Sequence, residues 1–274
     1  MKFTLLGGRG FIGRHLASHL RAAGHEVVVP DRRAQPDSGA CMGHVIYAIG
    51  LTGDFREKPF ATVEAHVETL ARCLDSARFL SWIYLSSTRV YGTSATDTRE
   101  DSRLSVLPGA DGLYDLSKLL GESLCLALPR PEIKVARLSN VYGHDQNATT
   151  FLGNLLSSAR KRQDIRINEH PDSEKDYLSV DDAVACIEHI SLAGAARIYN
   201  VASGRNISHR ALADRIGQAS GMSVSFEGPA PLRRFPPIDT ALLQTEFPFT
   251  PRDLLNDLPS LVHASSTSDE SQHS

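Results

Sequence analysis

The chain reads as an α/β protein: a doubly wound parallel sheet followed by a smaller C-terminal lobe. Three observations lead there. Strand-length apolar runs alternate with helix-period segments through the first half, the pattern of parallel strands joined by right-handed crossovers with helices on both faces. A cluster of glycines stands between the first strand and the first helix. The length of 274 residues, with 41% hydrophobic and 22% charged residues, suits one large domain or one domain with a small partner.

Each element has a local reason. Phe3 to Leu6 is a short apolar strand, broken by Gly7, Gly8, Gly10 and Gly13. Phe11, Ile12, Leu16 and Leu20 recur near helical spacing and predict a helix facing the sheet, closed by Gly24. Val27 to Val29 predicts a second strand ending at Asp31, and the polar stretch 32–42 a loop. Residues 45–49 predict a third strand, 62–77 a helix, and 82–85 a strand running into Ser86 and Ser87. A helix over 113–128 carries Tyr114 and Lys118, and 134–138 is the next strand. The second half is less regular: helices over 151–160, 180–190 and 208–219, a strand over 198–201, then Pro229, Pro231, Pro236 and Pro237. The boundaries expected are a first domain over 1–140, a smaller lobe over 141–263 with some chain returning to the first, and a disordered Ser-rich tail over 264–274.

Gly7, Gly10 and Gly13 form G-x-x-G-x-x-G between strand and helix. Such glycines let backbone turn tightly and approach a pyrophosphate, and the helix N-terminus offers free N–H groups and partial positive charge. This predicts a Rossmann-type dinucleotide-binding domain, with Gly7, Gly10, Phe11, Ile12, Gly13, Asp31, Arg32, Ala48, Ile49 and Gly50 as cofactor-binding residues. A carboxylate at Asp31 accepts hydrogen bonds from an adenosine ribose and favours NAD. Arg9, Arg32 and Arg33 would favour NADP by binding a 2′-phosphate. The expected cofactor is NAD, with NADP the alternative.

Tyr114 and Lys118 stand four apart, so one helix face presents both. An ammonium beside a phenol lowers the phenol pKa from about 10, which predicts a general base acting near neutral pH.

At these residues the chain resembles the extended short-chain dehydrogenase/reductase family, in its nucleotide-sugar epimerase/dehydratase branch. GGRGFIG, YLSSTRVYG, LYDLSKLLGE, RLSNVYG, DYLSVDDA and YNVASG carry the resemblance, in order and over most of the length. It implies that Tyr114 is the catalytic base/acid, that Lys118 also holds the nicotinamide ribose, and that Ser87 rather than Ser86 is the catalytic serine. Thr88, Asn140, Lys175 and either Arg233 or Arg234 are implied to contact a nucleotide-sugar substrate. The implied activity is reversible hydride transfer by an epimerase or 4-ketoreductase. The alternatives are a ketoreductase of a non-sugar carbonyl compound and a catalytically silent dinucleotide sensor. Thr88 and Arg89 replace the Asp-Glu pair of dehydratases, which argues against dehydration. His66 replaces the usual Asn of the middle helix, and residues 31–45 leave no room for the family's extra strand. A homodimer built on the helices over 62–77 and 113–128 is implied as well.

Other classes are disfavoured. A net charge of -3 argues against a general nucleic-acid or anionic-membrane binder. No apolar run reaches the length of a membrane span. Cys41, Cys73, Cys125 and Cys186 are widely spaced with no C-x-x-C, which predicts reduced thiols in a cytoplasmic protein. His15 and His19 have i,i+4 spacing but lack a third ligand, so no metal is expected. Asp181 and Asp182 read as first-turn helix residues favoured by the helix dipole.

Overall fold

The computed structural model describes residues 1–31 and 41–264. The chain opens with strand β1 (Lys2–Leu6), helix α1 (Phe11–Ala22), β2 (Glu26–Val28) and β3 (His44–Tyr47). A composite helix follows: α2 (Pro59–Val63), a π-helical turn (Glu64–Glu68) and α3 (Thr69–Ser76). Strand β4 (Ser81–Ser87) runs into a 3-10 turn (Thr88–Tyr91), and α4 (Gly112–Ala127) leads to β5 (Ile133–Leu138). Then come β6 (Asn140–Tyr142), α5 (Phe151–Arg160), β7 (Ile165–Ile167), β8 (Glu174–Ser179), α6 (Val180–Ala193) and β9 (Ile198–Val201). The chain continues through β10 (Asn206–Ser208), α7 (His209–Ser220), β11 (Val224–Phe226), α8 (Ala241–Glu246) and α9 (Leu254–His263).

Six strands form the main sheet in the order β2-β1-β3-β4-β5-β9, every neighbouring pair parallel. Side-chain alternation sorts the strands onto two faces. Phe3, Leu5, Ile46, Ile83, Leu85, Ala136 and Leu138 pack with Leu16 and Leu20 of α1 and Val184 and Ile187 of α6. Val45, Tyr47, Trp82, Tyr84 and Val135 pack with Leu70 and Leu74 of α3 and Cys125 of α4. Both faces are covered, as a parallel sheet requires. From β1 the chain steps one way to β2 and then back across to β3. This reversal opens a crevice at the carboxyl ends of β1 and β3, where ligands of such sheets bind.

A separate core lies C-terminal to β5. Leu152, Leu155 and Leu156 of α5 pack with Leu212 and Ile216 of α7, Leu254 and Leu258 of α9, and Ile165 and Ile167 of β7. Two small sheets border it, β10-β8-β6 and β11-β7. In contrast, α6, β9 and Leu243 of α8 join the main sheet and its core.

Several expectations are corrected. The segment expected as one α-helix over 62–77 begins at Pro59 and holds the π-turn. The second strand ends at Val28, short of Asp31. The third is His44–Tyr47, leaving Ala48 and Ile49 to loop. Strands β6, β7, β10 and β11 were not expected: three residues each are too few to show a period. Helix α9 was missed because Pro259 lies inside it. Arg32, Arg33 and the tail beyond Ala264 lie outside the described residues.

Candidate active site

The glycine turn closes against β3. Gly7 has φ +89, and a Cβ there would lie 2.7 Å from the Ala48 carbonyl carbon. A Cβ on Gly13 would lie 2.3 Å from the Gly7 oxygen. Both positions therefore admit only glycine. Gly10 caps α1 without a side-chain bond, and the first turn holds no acid. The N–H groups of that turn remain available to an anion, aided by the helix dipole.

Gly10, Phe11, Ile12 and Gly13 line a cleft of about 470 Å³ together with Ala48, Ile49 and Gly50 from the end of β3. These residues fit a dinucleotide: a bare turn, an uncapped helix start and a trough at the switch point. Gly7 shapes the turn without lining the cleft. Asp31 is exposed and pairs with Arg9 rather than facing the lining residues, so the two groups set in opposition by the sequence neutralise each other.

Ser87, Thr88, Tyr114 and Lys118 form the adjoining wall of the same cleft. Alternation along β4 separates the two serines. Ser86 donates to Glu122, which binds Arg137 at 2.7 Å in an ion pair whose side chains are each 3% exposed. Ser87 points the other way and, with Thr52, acts on the Tyr114 phenol as a hydrogen-bonding neighbour.

The pairing of Tyr114 with Lys118 needs correction. Lys118 Nζ lies 6.0 Å from the Tyr114 ring centroid and donates to the Leu85 carbonyl at 2.9 Å. Burial pushes the Tyr114 phenol up from its usual range, opposed by Ser87 and by the Arg89 charge. Burial also pushes Lys118 down, to about 7. Position i,i+4 gives a shared face, but the sequence does not reveal the desolvation that shifts both groups.

Asn140 and Lys175 also line the cleft. Asn140 Nδ2 donates to the Asp176 carbonyl at 2.8 Å. Lys175 Nζ sits 5.0 Å from the Phe151 ring centroid, and burial lowers its pKa. Arg233 is not a lining residue, and Ser173 holds its backbone N–H at 2.9 Å, though its charge reaches Lys175.

Three residues escaped the site reading. Thr52 and Phe55 lie on the loop after β3; Phe55 is 1% exposed and packs on Tyr114 at 5.3 Å. Arg89 lines the cleft and lies over the Tyr114 ring at 5.2 Å. Only the resemblance signalled Arg89, as a departure.

Three histidines have carboxylate partners: His15 binds Asp145 at 2.7 Å, and His19 and His25 share Glu188 at 2.7 and 2.8 Å. Among the described residues no cluster of His, Cys, Asp or Glu is arranged for a metal, and no helix is long and apolar enough to cross a membrane.

Sheet order, crossovers and glycine turn define a Rossmann-type α/β protein. The chain belongs to the NAD dependent epimerase/dehydratase family, whose model matches residues 3–202. Solved structures share the fold at low identity. MoeE5, in complex with UDP-glucuronic acid and NAD, has a TM-score of 0.80 and 23% identity, over 96% of this chain and 98% of that one. TunA, an NAD dependent NDP-hexosamine 5,6-dehydratase, has a TM-score of 0.82 and 22% identity, over 98% and 99%. RMD from Pseudomonas aeruginosa, complexed with NADPH, has a TM-score of 0.79 and 23% identity, over 95% and 97%. No curated protein matches the chain.

Proposed function

We propose that this protein reversibly oxidises a hydroxyl of a nucleotide-activated sugar, as an epimerase or a 4-ketoreductase, using Ser87, Tyr114 and Lys118. The observation that carries this is their place on one wall of the cleft whose other wall is the glycine turn. The turn, Ala48, Ile49 and Gly50 would hold the dinucleotide, and Lys118 its nicotinamide ribose. A nicotinamide bound there supplies the two-electron acceptor and donor. NAD is the expected dinucleotide, as in the family the chain belongs to, with NADP the alternative.

Tyr114 takes the proton of the sugar hydroxyl, or returns it in the reverse direction. Ser87 hydrogen-bonds the same oxygen and orients it. Because burial raises the phenol pKa, its basic form is scarce at neutral pH. Oxidation therefore accelerates as pH rises, and reduction is favoured at lower pH. Thr88, Asn140 and Lys175 bind substrate, and Arg233 adds charge nearby. Asp54 is the only carboxylate among the lining residues, which favours these reactions over dehydration.

Residues 1–140 act as the dinucleotide-binding unit and 141–263 as the substrate lobe, with α6, α8 and β9 returning to the sheet. Phe60, Val63, Leu116 and Leu120 are exposed on α2 and α4, which supports a homodimer through that face. Four free thiols suit a reducing, cytoplasmic setting.

Tyr114→Phe tests the assignment. Turnover should fall by roughly 10²–10⁴, with dinucleotide binding, read by NADH fluorescence, unchanged. Equal turnover in both proteins would refute it. Epimer formation without net cofactor consumption identifies an epimerase; stoichiometric loss of reduced cofactor identifies a ketoreductase.

A further inference from the structure

Arg89 follows Ser87 and Thr88 on the 3-10 turn and faces the cleft. Its guanidinium carbon lies 5.2 Å from the Tyr114 ring centroid and 5.5 Å from that of Phe55. Two aromatic rings thus fix the placement of the cation. Asp115 holds one edge of the fork: Nε donates to Oδ1 at 3.1 Å and Nη2 to Oδ2 at 3.4 Å. Nη1 has no hydrogen-bond partner among the described residues. Asp115 is the more buried partner, with its side chain 15% exposed against 36% for Arg89, and it is not a lining residue. The acid therefore braces the arginine from outside the cleft and leaves an open N–H edge within it. A guanidinium preorganised in this way matches a carboxylate or phosphate.

The charge balance of the cleft points the same way. Arg89, Lys118 and Lys175 line it against one carboxylate, Asp54, which is already paired with Lys58. In the function proposed above, Lys118 serves the nicotinamide ribose and Lys175 helps to bind the substrate. Arg89 stands apart from these duties, beside Tyr114 at the reacting end. A neutral sugar would bring no anion to that point.

We propose that Arg89 is a specificity-determining residue and that the substrate is a nucleotide-activated sugar acid, whose carboxylate, carried on the carbon next to the reacting one, Arg89 binds. The inference rests on the nucleotide-sugar reading and extends it to a substrate class. Lysine in its place would keep the charge but lose the planar fork.

The test compares binding of acid and neutral sugars that share one nucleotide: UDP-glucuronate against UDP-glucose, and UDP-galacturonate against UDP-galactose. Calorimetry is run on the full chain with NAD present. Wild type should prefer the acid of at least one pair, and Arg89→Gln should reduce that preference by about tenfold or more, as expected for a charge-assisted hydrogen bond. Because Arg89→Gln leaves Asp115 unpaired, the double variant Arg89→Gln/Asp115→Asn is measured alongside, with thermal unfolding to confirm that each variant is folded. The same loss of preference in the double variant supports the proposal. A wild-type preference for neutral sugars, or a preference unchanged in folded variants, overturns it while leaving the wider function intact. Binding of none of the four sugars overturns both the sugar-acid proposal and the UDP-sugar form of the function beneath it.

Discussion

His66 shows how one side chain joins separate parts of the site. The π-turn sets its ring edge-on to Tyr114, with centroids 5.3 Å apart. The Leu51 N–H donates to Nε2 at 3.3 Å, so the ring hydrogen sits on Nδ1, which donates to Ser117 Oγ at 2.8 Å. Ser117 in turn donates to the Tyr114 carbonyl at 2.8 Å. The loop bearing Thr52 is thereby tied to the helix bearing Tyr114 and Lys118. Burial, reinforced by the Lys118 charge, pushes His66 down to about 2. An unfolded chain protonates this histidine near 6.5 while the folded one keeps it neutral. Stability from this group is therefore complete above about pH 6.5 and declines as pH falls towards 2, by at most about 1.4 kcal/mol per pH unit. The unfolding midpoint should drop less between pH 7 and pH 5 in His66→Asn than in wild type; equal drops would contradict this. The resemblance marked His66 as unusual, but its role depended on a π-turn that no hydrophobic period reveals.

At the scale of elements, the glycine turn separates folding from binding. A Cβ on Gly10 meets only the Gly7 oxygen, at 3.4 Å, whereas a Cβ on Gly13 would meet that atom at 2.3 Å and Gly8 Cα at 2.6 Å. Gly13→Ala should lower the melting temperature markedly, because backbone must move to admit the methyl group. Gly10→Ala should melt near wild type but bind NADH about tenfold more weakly, since its methyl group enters the space where backbone approaches phosphate. Calorimetry and NADH fluorescence on both variants check the contrast. Turn, flanking strand and first helix were legible because glycine spacing and apolar period speak together over residues 3–24. Strands such as Ile165–Ile167 were not, since their order comes from pairing with distant residues. Ser87 and Tyr114 could be read as neighbours in the site; the acidity of Tyr114 could not, because burial is a property of the assembled walls.

For the whole molecule, the first half was readable and the second much less so. Continuous apolar strands and long helices announce a parallel sheet. The later chain divides its service, with β9 completing the sheet and α7 and α9 building a second core. Linear order does not reveal that division. The homodimer proposed above predicts that Leu120→Glu, on a surface already 55% exposed, yields a folded monomer by sedimentation, with unchanged helicity by circular dichroism. A wild-type monomer would remove the proposal. Strand β4 is apolar on both faces, so greasy packing alone cannot tell one alignment from its neighbour. The buried carboxylate–guanidinium couple under Ser86 can. Slipping the strand so that Leu85 replaced Ser86 opposite Glu122 would leave the buried acid without its serine donor, a costly fault in a dry interior. That couple acts as a proofreading latch, holding Ser86 inward while Ser87 lines the open side.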